Sequence, residues 1–254
     1  KRVSRINSQV RVEAVVEGVN ASNIERLIRD TDLVLDGTDN FETRFLINDA
    51  CVKLSKPWIY GAAVSSYGLT MTVIPGVTAC LRCIFENMPP PGSAPTCDTA
   101  GVILPIISLI ASIQSTEALK LLTGQQHLLH KGLLQIDIWK GSHTRLNIEG
   151  FRDRNQCKCC QGGVFEYLDR VDELIITLCG RNSVQIVPRV KAKLDLKELA
   201  ERLRLSGEVQ VNKFLLRFKS AEAELTVFPD ARGIVHNTRD EKAARSLYAR
   251  FIGV

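Results

Sequence analysis

The stretch LVLDGTDN, residues 33–40, decides the fold class that we predict for this chain. Its first part, Leu33-Val34-Leu35, is a short, wholly apolar run bounded by Asp residues, which is typical of a strand buried on both faces of a parallel sheet. Polar and small residues then make a turn, and apolar residues at helical spacing follow over residues 41–54. A strand, a turn and a helix in this order are the building unit of an α/β fold.

The same alternation continues on both sides of this stretch. The further predicted elements are a strand at residues 10–16, a short helix ending near Asp30, strands at 57–60, 69–74 and 133–139, and a long helix at 101–122. Strands that alternate with helices in this way predict an α/β domain with a doubly wound, Rossmann-like sheet.

After Gly163 the pattern changes and a second group of elements is predicted. They are strands at residues 184–187, 209–219 and 225–228 and helices at 195–205 and 239–251. We therefore divide the chain into a first domain at residues 1–162 and a small α+β C-terminal module at residues 163–254.

The composition is that of an ordinary soluble protein, with 45% hydrophobic and 24% charged residues in 254. The net charge of +5 is small and the basic residues alternate with acidic ones, which argues against nucleic-acid binding, although a partner with an acidic surface would fit. Polar residues interrupt the longest apolar stretch, at 101–122, so it predicts a buried helix and not a membrane span. Without a signal peptide, a cytoplasmic protein with reduced thiols is expected.

Two CxxC pairs indicate a metal site. They are Cys80-Leu81-Arg82-Cys83 and Cys157-Lys158-Cys159-Cys160. Two residues between ligands let both thiolates of a pair reach one ion, and two pairs complete a closed tetrahedral site, which is the structural type of zinc centre. Free cysteines or a redox disulfide are the alternatives. We expect a structural zinc ion bound by Cys80, Cys83, Cys157 and Cys160, with Cys159 as a spectator.

Asp39 lies where the first buried strand ends, and ligands of open α/β sheets bind outside the carboxyl ends of the strands. It is placed to hold magnesium or a nucleotide hydroxyl, and the following helix N-terminus favours phosphate. The local pattern alone favours a simpler role, in which Thr38, Asp39 or Asn40 caps the helix. Arg44 and Asn48, one turn apart on this helix, are expected on the same basis to be solvated polar positions.

Cys97 is the third candidate, in a loop just before the long helix. The start of a helix lowers a thiol pKa, which would suit a nucleophile or a persulfide relay. A loop cysteine without a function fits the position equally well. Cys51 and Cys179 have no partner spacing and are expected to pack in the interior, and the 4 His are expected at the surface or in caps.

Taken in order, these motifs resemble the ThiF/MoeB family of bacterial adenylyltransferases, relatives of ubiquitin-activating enzymes. The resemblance rests on the two CxxC pairs and on DGTDNFETRF (36–45), WIYGA (58–62) and TCDTAGV (96–102). It covers about residues 1–162. The tail with LCGRNSVQI (178–186) is similar to the small C-terminal extension of Bacillus-type members.

The resemblance implies an enzyme that uses ATP and magnesium to adenylate the C-terminal glycine of a small ubiquitin-like sulfur-carrier protein. The carrier would be of the ThiS type, in thiamine thiazole biosynthesis, or of the MoaD type, in molybdopterin biosynthesis. Asp39 would contact ATP or its magnesium, with Asn40 and Arg44 beside it. Cys97 would occupy the position where some relatives carry a thioester cysteine. The family also implies a homodimer.

Some family features have no counterpart in this sequence. The glycine-rich nucleotide loop, the ribose-binding acid and the catalytic Arg and Lys would all lie upstream of Lys1, and the chain starts without Met. We therefore expect an N-terminally truncated adenylation domain, and we expect these 254 residues alone not to turn over ATP. Two other functions remain open: a Rossmann-type NAD enzyme with an incidental zinc ion, and a non-catalytic zinc-bearing module that binds a ubiquitin-like protein.

Overall fold

The computed structural model describes residues 2–88, 97–154, 156–169, 174–178, 182–187 and 194–253. The predicted packing position Cys179 and residues 89–96 of the loop before Cys97 lie outside this part. The helices are α1 (Arg2–Ile6), α2 (Ile24–Ile28), α3 (Phe41–Lys53), α4 (Leu81–Ile84), α5 (Cys97–Ala100), α6 (Leu104–Leu122), α7 (Phe151–Arg154), α8 (Leu196–Leu203) and α9 (Glu241–Ile252), with a short 3₁₀ turn at Gln126–Leu128.

In the part of the chain that the structure describes, eleven strands accompany these helices. They are β1 (Val34–Leu35), β2 (Trp58–Val64), β3 (Tyr67–Val73), β4 (Leu133–Asp137), β5 (Ser142–Leu146), β6 (Leu174–Leu178), β7 (Ser183–Val187), β8 (Glu208–Val211), β9 (Leu216–Lys219), β10 (Glu224–Val227) and β11 (Gly233–His236). Within the described ranges, no helix combines the length and the apolar character that crossing a membrane requires.

The first sheet has the strand order β1-β2-β3-β4-β5. β1 runs parallel to β2, and each later pair is antiparallel. The predicted α/β class is confirmed, but the prediction that 33–35 is buried on both faces is wrong, because Leu35 is 49% exposed. β1 is an edge strand that pairs only with β2 among the described strands, so one of its sides lacks a neighbour.

Helices cover both faces of this sheet. On one face, Trp58, Tyr60 and Met71 pack with Phe45 of α3 in the main hydrophobic core. On the other face, α6 packs Ile106 and Ile110 against Ile136 of β4. Gly68 lets α6 approach closely, because a Cβ there would lie 2.5 Å from the Ile110 side chain.

The strand predicted at residues 10–16 does not form. The segment has no regular secondary structure, and Val12 and Val16 are 55% and 80% exposed. Alternating residues form a strand only where a neighbouring edge accepts their backbone hydrogen bonds, and no described strand pairs with this segment. The long helix also begins later than predicted, at Leu104, because Gly101 has φ +71° and Val102 bridges to Ser65.

The C-terminal part forms a six-stranded sheet in the order β6-β7-β11-β10-β9-β8, and its described pairs are all antiparallel. α8 and α9 pack on it around a second core that includes Leu199, Leu225 and Tyr248. The α+β character is as predicted. The single strand predicted at 209–219 is instead a hairpin, because the Asn212 side chain accepts hydrogen bonds from the backbone of residues 214 and 215 and makes a turn.

The division between residues 162 and 163 stays a prediction. Phe165, Tyr167 and Leu168 follow it in sequence but pack against the first core. The rings of Phe45 and Tyr167 lie 5.0 Å apart, centroid to centroid.

Candidate functional site

The turn after β1 is closed by Asp36. One carboxylate oxygen, Oδ1, accepts hydrogen bonds from the backbone N–H of Thr38 at 2.8 Å and from its hydroxyl at 2.7 Å. A side chain that satisfies the backbone two residues later is the usual way in which Asp stabilises a tight turn. The chain therefore leaves the sheet at a defined angle and enters α3.

Arg44 holds this turn from the inside of α3. Its Nε lies 3.3 Å from Asp36 Oδ2, a buried ion pair without hydrogen-bond geometry. Its Nη2 donates to the carbonyl oxygens of Thr38 and of Gly61 in β2. The expectation of a solvated Arg44 is wrong, since this helix is buried on nearly every side between the sheet and the cysteine loops.

Asn40 and Asp39 have separate roles at the start of α3. The Asn40 side chain accepts a 2.8 Å hydrogen bond from the backbone N–H of Thr43, so Asn40 is the cap. Asp39 is exposed, and its carboxylate accepts a 3.3 Å hydrogen bond from the Asn40 amide. Its carboxylate is thus accessible to a ligand beside the N-terminus of a 13-residue helix.

Cys97 reaches the same end of the sheet. It begins the four-residue helix α5, is half-buried, and donates from Sγ to the carbonyl oxygen of Ala63 at 3.3 Å. Arg44 binds the carbonyl of Gly61 two residues earlier in β2. Two residues of a strand span about 7 Å, so the structure anchors both candidates at neighbouring points of the carboxyl end of the β1–β2 pair.

Gln114 of α6 supports this end of the sheet from the opposite face and was not identified from the sequence. Its amide donates to the carbonyl oxygens of Asp36, at 2.9 Å, and Ile59, at 3.0 Å. A Cβ at Gly61 would lie 2.4 Å from the same amide nitrogen. In the sequence, the signal that could have identified Gln114 is a polar residue at a buried position of an otherwise apolar helix.

The four predicted ligands come together. The Sγ atoms of Cys80, Cys83, Cys157 and Cys160 all lie within 4.8 Å of one another. Three of the separations are 3.7 Å (Cys80–Cys83), 3.7 Å (Cys80–Cys157) and 3.4 Å (Cys83–Cys160). These are free thiols, since a disulfide requires about 2.05 Å. Hydrogen bonds from the other thiols, Cys157 first among them, lower the pKa of Cys80.

A buried polar network surrounds the cysteine cluster. Asn48 accepts a 2.8 Å hydrogen bond from the backbone N–H of Leu81, inside the first CxxC pair, and its amide lies 3.4 Å from Cys159 Sγ. Cys159 donates to Asp49 Oδ1 at 3.3 Å. Asn48 and Asp49 are both 0% exposed, so the prediction of a solvated Asn48 is wrong.

Arg82 and Tyr167 complete the network on its outer side. Arg82 lies 3.9 Å from Asp49 Oδ2 and 2.7 Å from Glu166, and the backbone N–H of Tyr167 donates to Asp49 Oδ2 at 3.0 Å. Burial raises the pKa of Asp49, although the hydrogen bond from Tyr167 opposes that shift. Sequence analysis missed Asp49 and Arg82. An Asn-Asp pair in the middle of an otherwise apolar helix was the signal for buried partners.

Comparison with known proteins adds independent findings. The model of the ThiF family matches residues 1–159. The sulfur carrier protein ThiS adenylyltransferase of Bacillus subtilis is 41% identical over 255 residues, covering 100% of this chain and 74% of that protein. The sulfur carrier protein adenylyltransferase of Thermus thermophilus is 36% identical over 165 residues, covering 63% of this chain and 60% of that protein.

A solved structure has a similar fold. The crystal structure of E. coli MccB with MccA-N7isoASN matches with a TM-score of 0.52 at 16% identity, over 63% of this chain and 49% of that one. At this identity the likeness concerns the fold alone. This chain spans less than two thirds of the length of the Thermus relative and of MccB.

Proposed function

This chain belongs to the ThiF family, and from that premise we propose that the protein is an ATP-dependent adenylyltransferase that activates the C-terminal glycine of a small ubiquitin-like sulfur carrier. The observation that carries the proposal is the 41% identity, along the whole chain, to a ThiS adenylyltransferase. The same relative favours a carrier of the ThiS type, in thiamine thiazole biosynthesis, over one of the MoaD type, in molybdopterin biosynthesis.

The reaction is an in-line attack of the carrier's carboxylate on the α-phosphate of ATP, with pyrophosphate as the leaving group. It depends on positioning and charge neutralisation. Asp39 offers an exposed carboxylate, the type of ligand that magnesium prefers, next to the phosphate-favouring N-terminus of α3. Bound magnesium would neutralise charge on the phosphates.

The other residues at the carboxyl end of β1 and β2 hold the site in place. Asn40 caps α3 and so fixes where its first N–H groups point. Arg44 keeps the turn in place through Asp36 and Gly61, and we assign it this positioning role and not direct nucleotide contact, because its guanidinium is buried.

We propose Cys97 as the acceptor of the activated carrier. Its thiolate would attack the acyl-adenylate, form a thioester with the carrier's C-terminal glycine and release AMP. The hydrogen bond from Sγ to Ala63 holds the thiol at the carboxyl end of β2. Replacing Cys97 by Ser should leave carrier adenylation intact and abolish a thiol-sensitive covalent adduct on denaturing gels. An unchanged adduct would exclude this role.

The cysteine cluster fits a structural zinc ion. For four ligands at about 2.3 Å in a tetrahedron, sulfur atoms lie roughly 3.8 Å apart, close to the separations of 3.4 to 3.7 Å given above. With Cys80, Cys83, Cys157 and Cys160 as ligands, no position is left open for a substrate, so the ion would supply folding energy and no chemistry.

A cytoplasmic homodimer completes the proposal. Seven of the cysteines are free thiols in the described part of the chain, which suits a reducing compartment. The exposed side of α6 includes Leu104, Leu119 and Leu122, at 72%, 63% and 59% exposure, which suits a surface covered by a second copy. Analytical ultracentrifugation at micromolar concentration would detect the dimer.

The experiment that tests the function uses the protein as its gene encodes it. It is mixed with ATP, magnesium and a carrier of either type, and the carrier is weighed by mass spectrometry for addition of one adenylate. We expect adenylation of the ThiS-type carrier. Asp39→Ala should lower ATP–pyrophosphate exchange about a hundredfold, and Asp30→Ala, also exposed, should not. Failure to adenylate either carrier would refute the proposal.

A further inference from the structure

The second cysteine segment contains one thiol more than a tetrahedral site needs. Cys157, Cys159 and Cys160 lie within four residues, and Cys159, at 1% exposure, is more deeply buried than Cys157, at 6%, or the half-buried Cys160. Cys159 directly precedes Cys160 in the chain, so its thiol is near enough to compete for the metal. A further structural feature must therefore determine which two of these three thiols bind the metal.

Two neighbouring side chains of α3 engage the extra thiol. Asp49 Oδ1 accepts the hydrogen bond from Cys159 Sγ at 3.3 Å, and the Asn48 amide approaches the same sulfur at 3.4 Å. These contacts direct Cys159 toward α3, while the Sγ atoms of Cys157 and Cys160 join the cluster with Cys80 and Cys83.

Neither side chain of α3 is free to follow Cys159 toward the cluster. Asn48 Oδ1 is bound by the backbone of Leu81 at 2.8 Å, which also fixes the first CxxC pair to the same helix. Asp49 Oδ2 is bound by the backbone of Tyr167 at 3.0 Å and lies 3.9 Å from Arg82. Both are fully buried, so water does not replace these partners.

We propose that Asn48 and Asp49 are positioning residues that select the metal ligands, because they hold Cys159 on α3 and leave Cys157 and Cys160 to complete the four-thiolate centre. This selection rests on the metal centre proposed above. A purely structural role of the network would stabilise the helix but would not determine which sulfurs bind.

The number of thiolates on the metal separates the two roles. The full chain is loaded with cobalt(II), whose thiolate-to-metal charge-transfer absorption increases with the number of bound thiolates. Cys159→Ser should keep the wild-type absorption. Cys160→Ser should lower it to roughly three quarters, because Cys159 stays bound to α3. Loss of absorption in Cys159→Ser, or full absorption in Cys160→Ser, would overturn the selection.

A second variant tests Asp49 itself. Asp49→Asn keeps the size of the side chain and an acceptor for the Tyr167 backbone, but its amide nitrogen replaces the acceptor that faces Cys159. In the Asp49→Asn/Cys160→Ser chain, Cys159 should be released and the fourth thiolate absorption restored. Absorption that stays at the Cys160→Ser level in a folded protein, checked by circular dichroism, would exclude Asp49 from ligand selection.

These experiments distinguish a failure of the proposed metal centre from a failure of the proposed ligand selection. A wild-type chain that binds no cobalt or zinc would refute the metal centre itself. A wild-type chain with four thiolates and a Cys159→Ser variant with three would keep the centre and refute the selection by Asn48 and Asp49.

Discussion

Asn48 follows Arg44 by one turn of α3, and the two buried side chains connect this helix to different parts of the molecule. Arg44 binds the turn after β1 through Asp36 and Thr38. Asn48 binds the first CxxC pair through Leu81. One turn is about 5 Å of helix. The single helix α3 therefore positions both the candidate site at the carboxyl end of β1 and β2 and the cysteine cluster.

The first prediction concerns the metal. Metal analysis of the purified protein should find about one equivalent of zinc, and Cys83→Ser should lose it to a chelator at a lower concentration than the wild type does, because three thiolates bind zinc more weakly than four. The melting temperature of the wild type should fall on prolonged treatment with a strong chelator. Cys97→Ser is the matched control and should keep its zinc. Less than about half an equivalent in the wild type would contradict the zinc centre.

The second prediction concerns the buried ion pair. Arg44→Ala should lower the free energy of unfolding by about 3–5 kcal/mol, because it leaves Asp36 charged and buried without its partner. Urea denaturation measures this change. Arg26→Ala removes an exposed pair with Glu17 and should alter stability by less than about 0.5 kcal/mol. Equal effects of the two variants would show that the Arg44 pair is not structural.

The third prediction concerns the contact between β2 and α6. Gly61→Ala should destabilise the protein by about 1–3 kcal/mol, because the new Cβ would displace the Gln114 amide from the carbonyls that it binds. Gly37→Ala, where a Cβ meets nothing within 4 Å, should be close to neutral. A Gly61→Ala variant as stable as Gly37→Ala in thermal melts would rule out this steric reason.

The fourth prediction concerns acid sensitivity at His130. The His130 side chain is 15% exposed, its Nε2 lies 3.8 Å from Glu117 Oε2, and neither ring nitrogen has a hydrogen-bond partner among the described residues, so the surface or capping role expected from the sequence is wrong here. Burial lowers the pKa of His130 below 6.5, with Glu117 opposing the shift and Lys120 and Arg145 adding to it. The unfolded chain then binds more protons than the folded one, so stability should fall as pH falls below 6.5.

Replacing this ring tests the effect directly. His130→Gln should reduce the loss of stability between pH 7 and about pH 5 in urea titrations. His127→Gln, at an exposed position, should leave the pH dependence unchanged. A steeper or unchanged slope in His130→Gln would assign the acid sensitivity to other groups.

The sequence predicted α3 and α9 closely, because a 3.6-residue period is a property of the segment itself. The strand at residues 10–16 failed for the opposite reason. Its alternation was real, but a strand exists only with a neighbour, and sequence does not state which edges are free. The hairpin at 208–219 was missed because Asn212 makes its turn inside a run that otherwise resembles one strand.

By itself the sequence determined the α/β class and the four thiols that meet. Two residues between the cysteines of each pair let both sulfurs reach one ion, and this spacing is a local property of the chain. Only the tertiary structure decided what surrounds them. Cys159 and Asp49 are 110 residues apart, and Leu81 and Asn48 are 33 apart. Such contacts depend on the path of the whole chain through the core, and a polar side chain is buried only where that path brings it a partner.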